Sequence, residues 1–194
     1  SQNNKIYGLD INESGLFDVI NPLKDKEVWG RVGDIRDMDT VKDIFQDFKP
    51  EIVINAAAYK HVPLMEYTPL EAIRTNVLGH YNIVHTAKTW DCVEKLLFIS
   101  TDKVVNSNSI MGATKRLSEI ITINSGYSVV RLGNIINSRG SLTTIWQKQA
   151  DEVKPLTITD PKMERYFMSI PQAVKLGIEA AENGEPGDLI VLDM

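Results

Sequence analysis

The stretch Leu96-Leu-Phe-Ile-Ser-Thr-Asp-Lys-Val-Val-Asn-Ser-Asn-Ser-Ile-Met-Gly-Ala-Thr-Lys115 decides the fold. Leu96 to Ile99 form a short apolar run bounded by polar residues, the pattern of a strand buried on both faces of a parallel sheet. In open α/β sheets ligands bind beyond the carboxyl ends of the strands, so Ser100, Thr101, Asp102 and Lys103 are expected to emerge where chemistry happens. A polar loop follows, and Met111-Gly-Ala-Thr-Lys115 opens a helical pattern with Leu117, Ile120 and Ile121 expected on its inner face. Met111 and Lys115 then stand one turn apart, and a single stripe addresses the strand end.

Working outward, apolar runs at Lys5 to Leu9, Val28 to Val32, Ile52 to Ile54, Val129 to Leu132, Leu156 to Ile158 and Leu189 to Leu192 read as further strands. Between them, Val41, Ile44, Phe45 and Phe48 recur at helical spacing behind a capping Asp37 or Asp39. Tyr59 to Pro63 reads as a loop, since Pro63 and Pro69 bracket a stretch with little regular period. Thr68-Pro69-Leu70-Glu71 has the form of a capping box opening a long helix whose stripe includes Ile73, Val77, Tyr81 and Val84. Ser141 caps another helix. Ser169-Ile-Pro-Gln172 caps the last one, with Val174, Gly177, Ile178 and Ala181 expected inward. Strands alternating with helices imply an α/β, doubly wound parallel sheet.

The chain has 194 residues, 43% hydrophobic and 24% charged, enough for one sizeable core in one domain. A net charge of -5 argues against non-specific nucleic-acid binding. No window approaches the roughly 18 apolar residues of a membrane span, and no signal peptide is recognisable. Cys92 is the single cysteine, so no internal disulfide forms, and it reads as structural. His80 and His85 belong to no metal-binding pattern.

The strand-end Ser-Thr-Asp-Lys followed by Met111-x-x-x-Lys115 resembles the extended short-chain dehydrogenase/reductase enzymes, with Met111 where a tyrosine usually stands. Among them it is similar to the capsular-polysaccharide-type UDP-N-acetylglucosamine 4,6-dehydratases. Ordered matches support this: Asn55-Ala-Ala-Ala-Tyr-Lys-His-Val-Pro63 with Met65-Glu66, Arg74-Thr-Asn-Val-Leu-Gly79, Arg131-Leu-Gly-Asn134, Ser138-Arg-Gly140 and Arg165-Tyr-Phe-Met168. The resemblance implies a Rossmann-like fold with a small substrate-binding portion, binding NAD and a UDP-sugar. Asp10 would grip the adenosine ribose, favouring NAD over NADP, and Asp34 with Ile35 would meet adenine. Ala56, Ala57 and Ala58 would let the cofactor lie close, Asn76 would support the catalytic strand, and Lys115 would bind cofactor ribose.

On the substrate side the resemblance implies Lys60, His61, Glu66, Asn134, Ser138, Arg139 and Arg165. Thr101 would hydrogen-bond the sugar C4 oxygen, Asp102 would protonate the departing C6 hydroxyl, and Lys103 would take the C5 proton. Residue by residue, the plainer readings are a turn cap for Asp10, a solvated loop for Asp34, Lys60 and His61, and a surface ion pair for Asp102 and Lys103. A UDP-sugar 4-epimerase or reductase, or a cofactor-free binding module, are the rivals.

A dinucleotide-binding fold opens with a strand and a G-x-G-x-x-G-like loop. No two glycines here are separated by one residue, and Asp10 lies where the acidic residue after that loop belongs. Residues 1–194 are therefore expected to be a core that lacks the first strand and glycine loop and stops before the substrate region ends. A cytoplasmic enzyme is expected, compatible with a homo-oligomer. Larger family members carry upstream transmembrane helices, which would hold the parent at the cytoplasmic face of the membrane.

Overall fold

A computed structural model describes residues 4–138, 140–158 and 160–191. The elements are β1 (Ile6–Asp10), α1 (Glu13–Ile20), β2 (Val28–Val32), α2 (Met38–Phe48), β3 (Ile52–Asn55), α3 (Val62–Tyr67), α4 (Pro69–Ala72), a π-helical segment (Ile73–Gly79) and α5 (His80–Thr89). They continue as β4 (Lys95–Thr101), α6 (Ile110–Asn124), β5 (Ser128–Leu132), β6 (Asn134–Ile135), α7 (Leu142–Asp151), β7 (Phe167–Met168), α8 (Ile170–Asn183) and β8 (Leu189–Val191).

All strand pairs are parallel. β3, β4, β5 and β8 lie side by side in that order, β1 pairs with β2, and short β6 pairs with β7. Alternation along β4 sends Leu96 to one face, into a cluster with Val41 and Phe45 of α2 and Ile83 and Val84 of α5. Leu97 goes to the other face, against Ala173, Ala180 and Ala181 of α8. Helices thus cover both faces, the doubly wound arrangement that the strand–helix alternation implied.

Leu9 of β1 and Val53 of β3 pack on the same cluster, yet β1 and β3 share no hydrogen bonds. On the opposite face Ile52 and Ile54 are 48% and 50% exposed, and Ile6 of β1 is 55% exposed. The facing apolar side chains of β1 and β3 thus stay half exposed, and the two strands do not pair with each other.

Several local expectations are corrected. The central strand runs to Thr101, beyond Ile99, because Leu97 to Thr101 pair with β5. The segment after Tyr59-Lys60 is not all loop: Pro63 sits in the first turn of α3, where its missing N–H costs nothing. Thr68 makes no side-chain cap; its hydroxyl donates back to the Leu64 carbonyl at 2.8 Å. Residues 156–158 form no strand, and the Thr157 carbonyl instead accepts from Trp146 Nε1 at 2.8 Å. On α8, Ala173 and Ala180 are buried with Gly177 and Ala181, whereas Val174 and Ile178 are half exposed. Small residues face in because the helix lies close on the sheet.

The largest correction concerns α6 and the rod before it. Leu117 and Ile120 are exposed, and the buried stripe is Met111, Thr114, Lys115, Ser118, Glu119 and Thr122. The π segment widens the preceding helix by one residue per turn. It turns Asn76 and His80 inward, while Ile73 and Tyr81 stay 40% and 47% exposed. Polar residues can be buried there because each meets a partner. Asn76 Nδ2 donates to Thr114 Oγ1 at 3.0 Å, and Ser118 Oγ donates to the Asn76 carbonyl at 2.5 Å.

His80 is wholly buried, its ring centroid 4.2 Å from that of Phe98. Thr122 donates to the Ser118 carbonyl at 2.8 Å, so its oxygen accepts from His80 Nε2–H at 2.7 Å. Nδ1 is then the acceptor for Asn55 Nδ2 at 2.8 Å. Burial, reinforced by the charge of Lys115, pushes the imidazole down to about 3. The unfolded chain takes up that proton first, near pH 6.5, so stability should fall as pH drops from about 6.5 toward 3. Chemical denaturation should show a slope of about 1.4 kcal/mol per pH unit between pH 6 and 4.5 that His80→Gln removes. Parallel pH profiles for the two proteins would contradict the assignment.

Candidate active site

The carboxyl end of β4 is where the expected site residues meet. Thr101 ends the strand in extended conformation, and Asp102–Val104 forms one 3-10 turn. The Thr101 hydroxyl donates to Asp102 Oδ1 at 2.9 Å, and its oxygen accepts the Lys103 N–H at 3.4 Å. Lys103 Nζ donates to Asp102 Oδ1 at 2.9 Å and to Asn134 Oδ1 at 2.6 Å. Asn134 begins β6, and its N–H donates to the Tyr166 carbonyl at 2.8 Å. The segment carrying Arg165 thereby lies beside it. Arg165 itself is exposed, with Nη1 on the Glu164 carbonyl at 2.6 Å.

Beneath the strand end lies Lys115, 6% exposed. Its Nζ donates to the Ile99 carbonyl at 2.5 Å and sits 4.0 Å above the Phe98 ring centroid. Burial lowers the ammonium to about 7, partly opposed by the carboxylate of Glu119 one turn on. Burial pushes Glu119 up, but hydrogen bonds led by Arg131 outweigh it and hold the group below the usual carboxylate range. Arg131 Nε and Nη2 grip its two oxygens at 2.8 and 2.7 Å, and Arg116 Nη1 adds a third bond at 2.7 Å. Nothing in the periodicity of the sequence signals this cluster, because Arg131 lies on a different element.

Glycine supplies two close approaches. A Cβ on Gly112 would lie 2.5 Å from the Lys103 carbonyl, so only glycine lets α6 meet the 3-10 turn. Gly140, at φ +66°, leaves room for the His61 ring, whose Cε1 would lie 2.7 Å from a Cβ. The loop after β3 and the loop after β6 are joined there, and Lys60 Nζ donates to Ser138 Oγ at 3.4 Å. Lys60 and His61 therefore stand with Lys103, Asn134 and Ser138.

Other expected residues lie apart or differ in role. Asn76 clamps the loop after β3, its Oδ1 accepting the Tyr59 N–H at 2.8 Å and its Nδ2 donating to the Tyr59 carbonyl at 3.1 Å. It holds that loop and α6, where support of the catalytic strand was expected. Glu66 Oε1 accepts the Ile110 N–H at 2.8 Å, a cap on the first turn of α6 that suits the helix dipole. Met111 is buried with Met65 and Ala72 in an apolar cluster. Arg139 lies outside the described residues.

At the far strand ends, Asp10 closes β1 and accepts the Asn12 N–H at 2.8 Å on one oxygen. Arg36 engages both oxygens of Asp34, through its N–H at 2.9 Å and its Nε at 2.7 Å, and holds that carboxyl below its usual range. The Ile35 side chain is in the core and its carbonyl accepts from Asn82 Nδ2 at 3.0 Å, which leaves its N–H as the group to offer. Ala56 and Ala57 are exposed just beyond β3 with nothing past Cβ. Among the described residues no cluster of His, Cys, Asp and Glu suits a metal ion, and no helix is long and apolar enough to cross a membrane.

Lys115 gives this geometry a pH signature. Unfolded, its amine keeps the proton to about 10.5; folded, it sheds it near 7, so its contribution to stability should rise with pH across that window. Lys115→Met should flatten the rise between pH 7 and 9.5 in denaturant titrations. An unchanged rise would show the amine is hydrated.

The matched relatives extend beyond this chain. It is 42% identical over 170 residues to the capsular polysaccharide biosynthesis protein CapD of Staphylococcus aureus, covering 84% of this chain and 28% of that one. It is 38% identical over 199 residues to a UDP-glucose 4-epimerase of Rickettsia bellii, covering 94% and 58%. The fold matches that of DesIV, a dTDP-glucose 4,6-dehydratase of Streptomyces venezuelae solved with NAD and TYD, at TM-score 0.85 and 17% identity, covering 98% and 66%. The model of the polysaccharide biosynthesis protein family matches residues 1–194, and the chain belongs to that family.

Proposed function

We propose that the whole protein carrying this chain is a nucleotide-sugar 4,6-dehydratase acting on a UDP-N-acetylhexosamine, with UDP-N-acetylglucosamine as substrate and NAD as cofactor. The observation that carries this is the Asp102–Lys103 pair beside Thr101 and Asn134 at the end of β4. Moving a hydride at C4 needs no acid and base for C5 and C6; eliminating water does. CapD, a capsular polysaccharide biosynthesis protein by name, supports the pathway class.

NAD fits the donor set in these residues: a strand-end carboxylate at Asp10 for ribose, the small Ala56-Ala57-Ala58 run, the Asp34-Ile35 turn for adenine, and an ammonium at Lys115. When bound it supplies reversible hydride transfer, from C4 and back to C6. On the substrate side, Lys60, His61, Asn134, Ser138, Arg139 and Arg165 supply cationic and hydroxyl groups suited to a diphosphate and a sugar.

Thr101 would accept the C4 hydroxyl proton, because its own hydrogen is already directed at Asp102 and a relay needs no rearrangement. Asp102 would deliver the proton that the C6 oxygen needs, and a lysine amine would remove the proton at C5. Met111 has a thioether that transfers no proton. The epimerase reading is kept alive by the Rickettsia relative.

Mass analysis of UDP-N-acetylglucosamine incubated with the whole protein should reveal loss of one water. An isomer of unchanged mass would mean epimerisation. Asp102→Asn should slow elimination about 100-fold or more while C4 oxidation, read as cofactor absorbance in a single turnover, changes less than about tenfold. Thr101→Val should impair that oxidation more than Met111→Leu, which conserves volume and should cost less than about 1.5 kcal/mol of stability. The reverse order would remove Thr101 from the relay.

A further inference from the structure

The loop after β3, residues 55–59, carries Ala56 to Ala58 and is held from beneath at both ends. Asn76 holds its far end through the N–H and carbonyl of Tyr59. At the near end, Asn55 is 3% exposed; its Oδ1 accepts the Ala57 N–H at 3.0 Å, and its Nδ2 meets His80 Nδ1 at 2.8 Å. Asn76 and His80 stand one turn apart on the same rod, and the π segment aims both inward.

Every bond in the near-end grip points the same way. The Thr122 hydrogen goes to the Ser118 carbonyl, so the Thr122 oxygen accepts from His80 Nε2–H and leaves His80 Nδ1 to accept from the Asn55 amide. The Asn55 oxygen is thereby turned to the Ala57 N–H. The relay starts on the backbone of the loop and ends on the backbone of α6, the helix that carries Lys115. No member can turn round alone. A flipped Asn55 amide would set its Nδ2 against the Ala57 N–H and its oxygen against the bare Nδ1, donor on donor and acceptor on acceptor. Asn55, His80 and Thr122 are all buried, so no solvent is at hand to relieve the mismatch.

Resting on the reading that Ala56 to Ala58 lie against NAD, we propose that His80 is a positioning residue for the cofactor. Through the Asn55 amide it fixes the backbone of the loop after β3 and ties that backbone to α6. The alanines have nothing past Cβ to anchor themselves, so their backbone must be held from below. A neutral imidazole suits the task, with an acceptor at one edge, a donor at the other and a rigid plane between. That plane lies against Phe98, ring centroids 4.2 Å apart.

The test uses the whole protein in two arms, with His80→Phe, His80→Gln and Thr122→Val. His80→Phe keeps a ring against Phe98 and removes both nitrogens, whereas His80→Gln restores one acceptor and one donor. Thr122→Val removes the far acceptor from α6 and leaves the loop's own residues untouched. In the first arm, hydrogen exchange is read by mass spectrometry on a peptide spanning residues 55–60. Loop amides open without unfolding of the whole molecule, so a general loss of stability leaves their rate alone. Exchange there should quicken about fivefold in His80→Phe, the worth of one hydrogen bond, quicken also in Thr122→Val, and return to within about twofold of wild type in His80→Gln. A loop rate unmoved in His80→Phe and Thr122→Val, or quickened as much in His80→Gln as in His80→Phe, overturns the proposal. If His80→Phe does not fold, Thr122→Val against His80→Gln makes the same decision.

In the second arm NAD is titrated and turnover is followed. His80→Phe should weaken NAD binding about fivefold, with rescue by His80→Gln, while kcat at saturating NAD stays within about twofold. Unchanged NAD affinity with a fallen kcat overturns the positioning role. Should wild type bind no NAD at all, the cofactor reading has failed instead, and the exchange pattern alone decides whether His80 fixes the loop.

Discussion

The buried polar stripe of α6 is the constraint on which the site depends. A polar group removed from water without a partner costs about 1–3 kcal/mol, so a helix that turns Thr114, Lys115, Ser118, Glu119 and Thr122 inward is stable only in the one register that pairs them all. Asn76, His80, Arg131 and the Ile99 carbonyl fix that register. Slide the helix by one residue and the partners are lost together. Because the same register seats Gly112 against Lys103, the alignment of the buried stripe also sets the turn that carries Asp102 and Lys103.

Within this frame charge is graded by depth. The wholly buried Glu119 pairs with Arg131 and with the half-exposed Arg116, and it opposes the discharge of Lys115. Nearer the surface, Lys103 shares Asp102 and Asn134, and Lys60 meets only a hydroxyl among the described residues. Three lysines at one strand end thus occupy three environments.

The strands and the strand-end motif were legible because they obey local rules. Leu96 to Ile99 is apolar and short, and Ser141 and Ser169 cap as their spacing implies. The faces of α6 and of the π segment were not legible. Hydrophobic periodicity places Leu117 and Ile120 inward, and the actual stripe is polar because its partners sit on other elements, 12 to 42 positions away. Glu66 likewise read as a site residue beside Met65, but α3 brings it to the start of α6, where an open N–H takes it. The Asn76 clamp on Tyr59 became visible only once the π turn aimed it.

The strand-end cluster lies at the carboxyl end of β4, whose neighbours β3 and β5 run parallel to it. What distinguishes a dehydratase from an epimerase on such a frame is the destination of the hydride. The most direct measurement uses UDP-N-acetylglucosamine bearing deuterium at C4, turned over by the whole protein and analysed by NMR. A dehydratase is expected to deliver the deuterium to C6 of the same sugar, giving a labelled 6-deoxy-4-keto product. Deuterium found still at C4, in a sugar inverted at that carbon and retaining its C6 hydroxyl, would contradict the assignment of the Asp102–Lys103 pair to elimination.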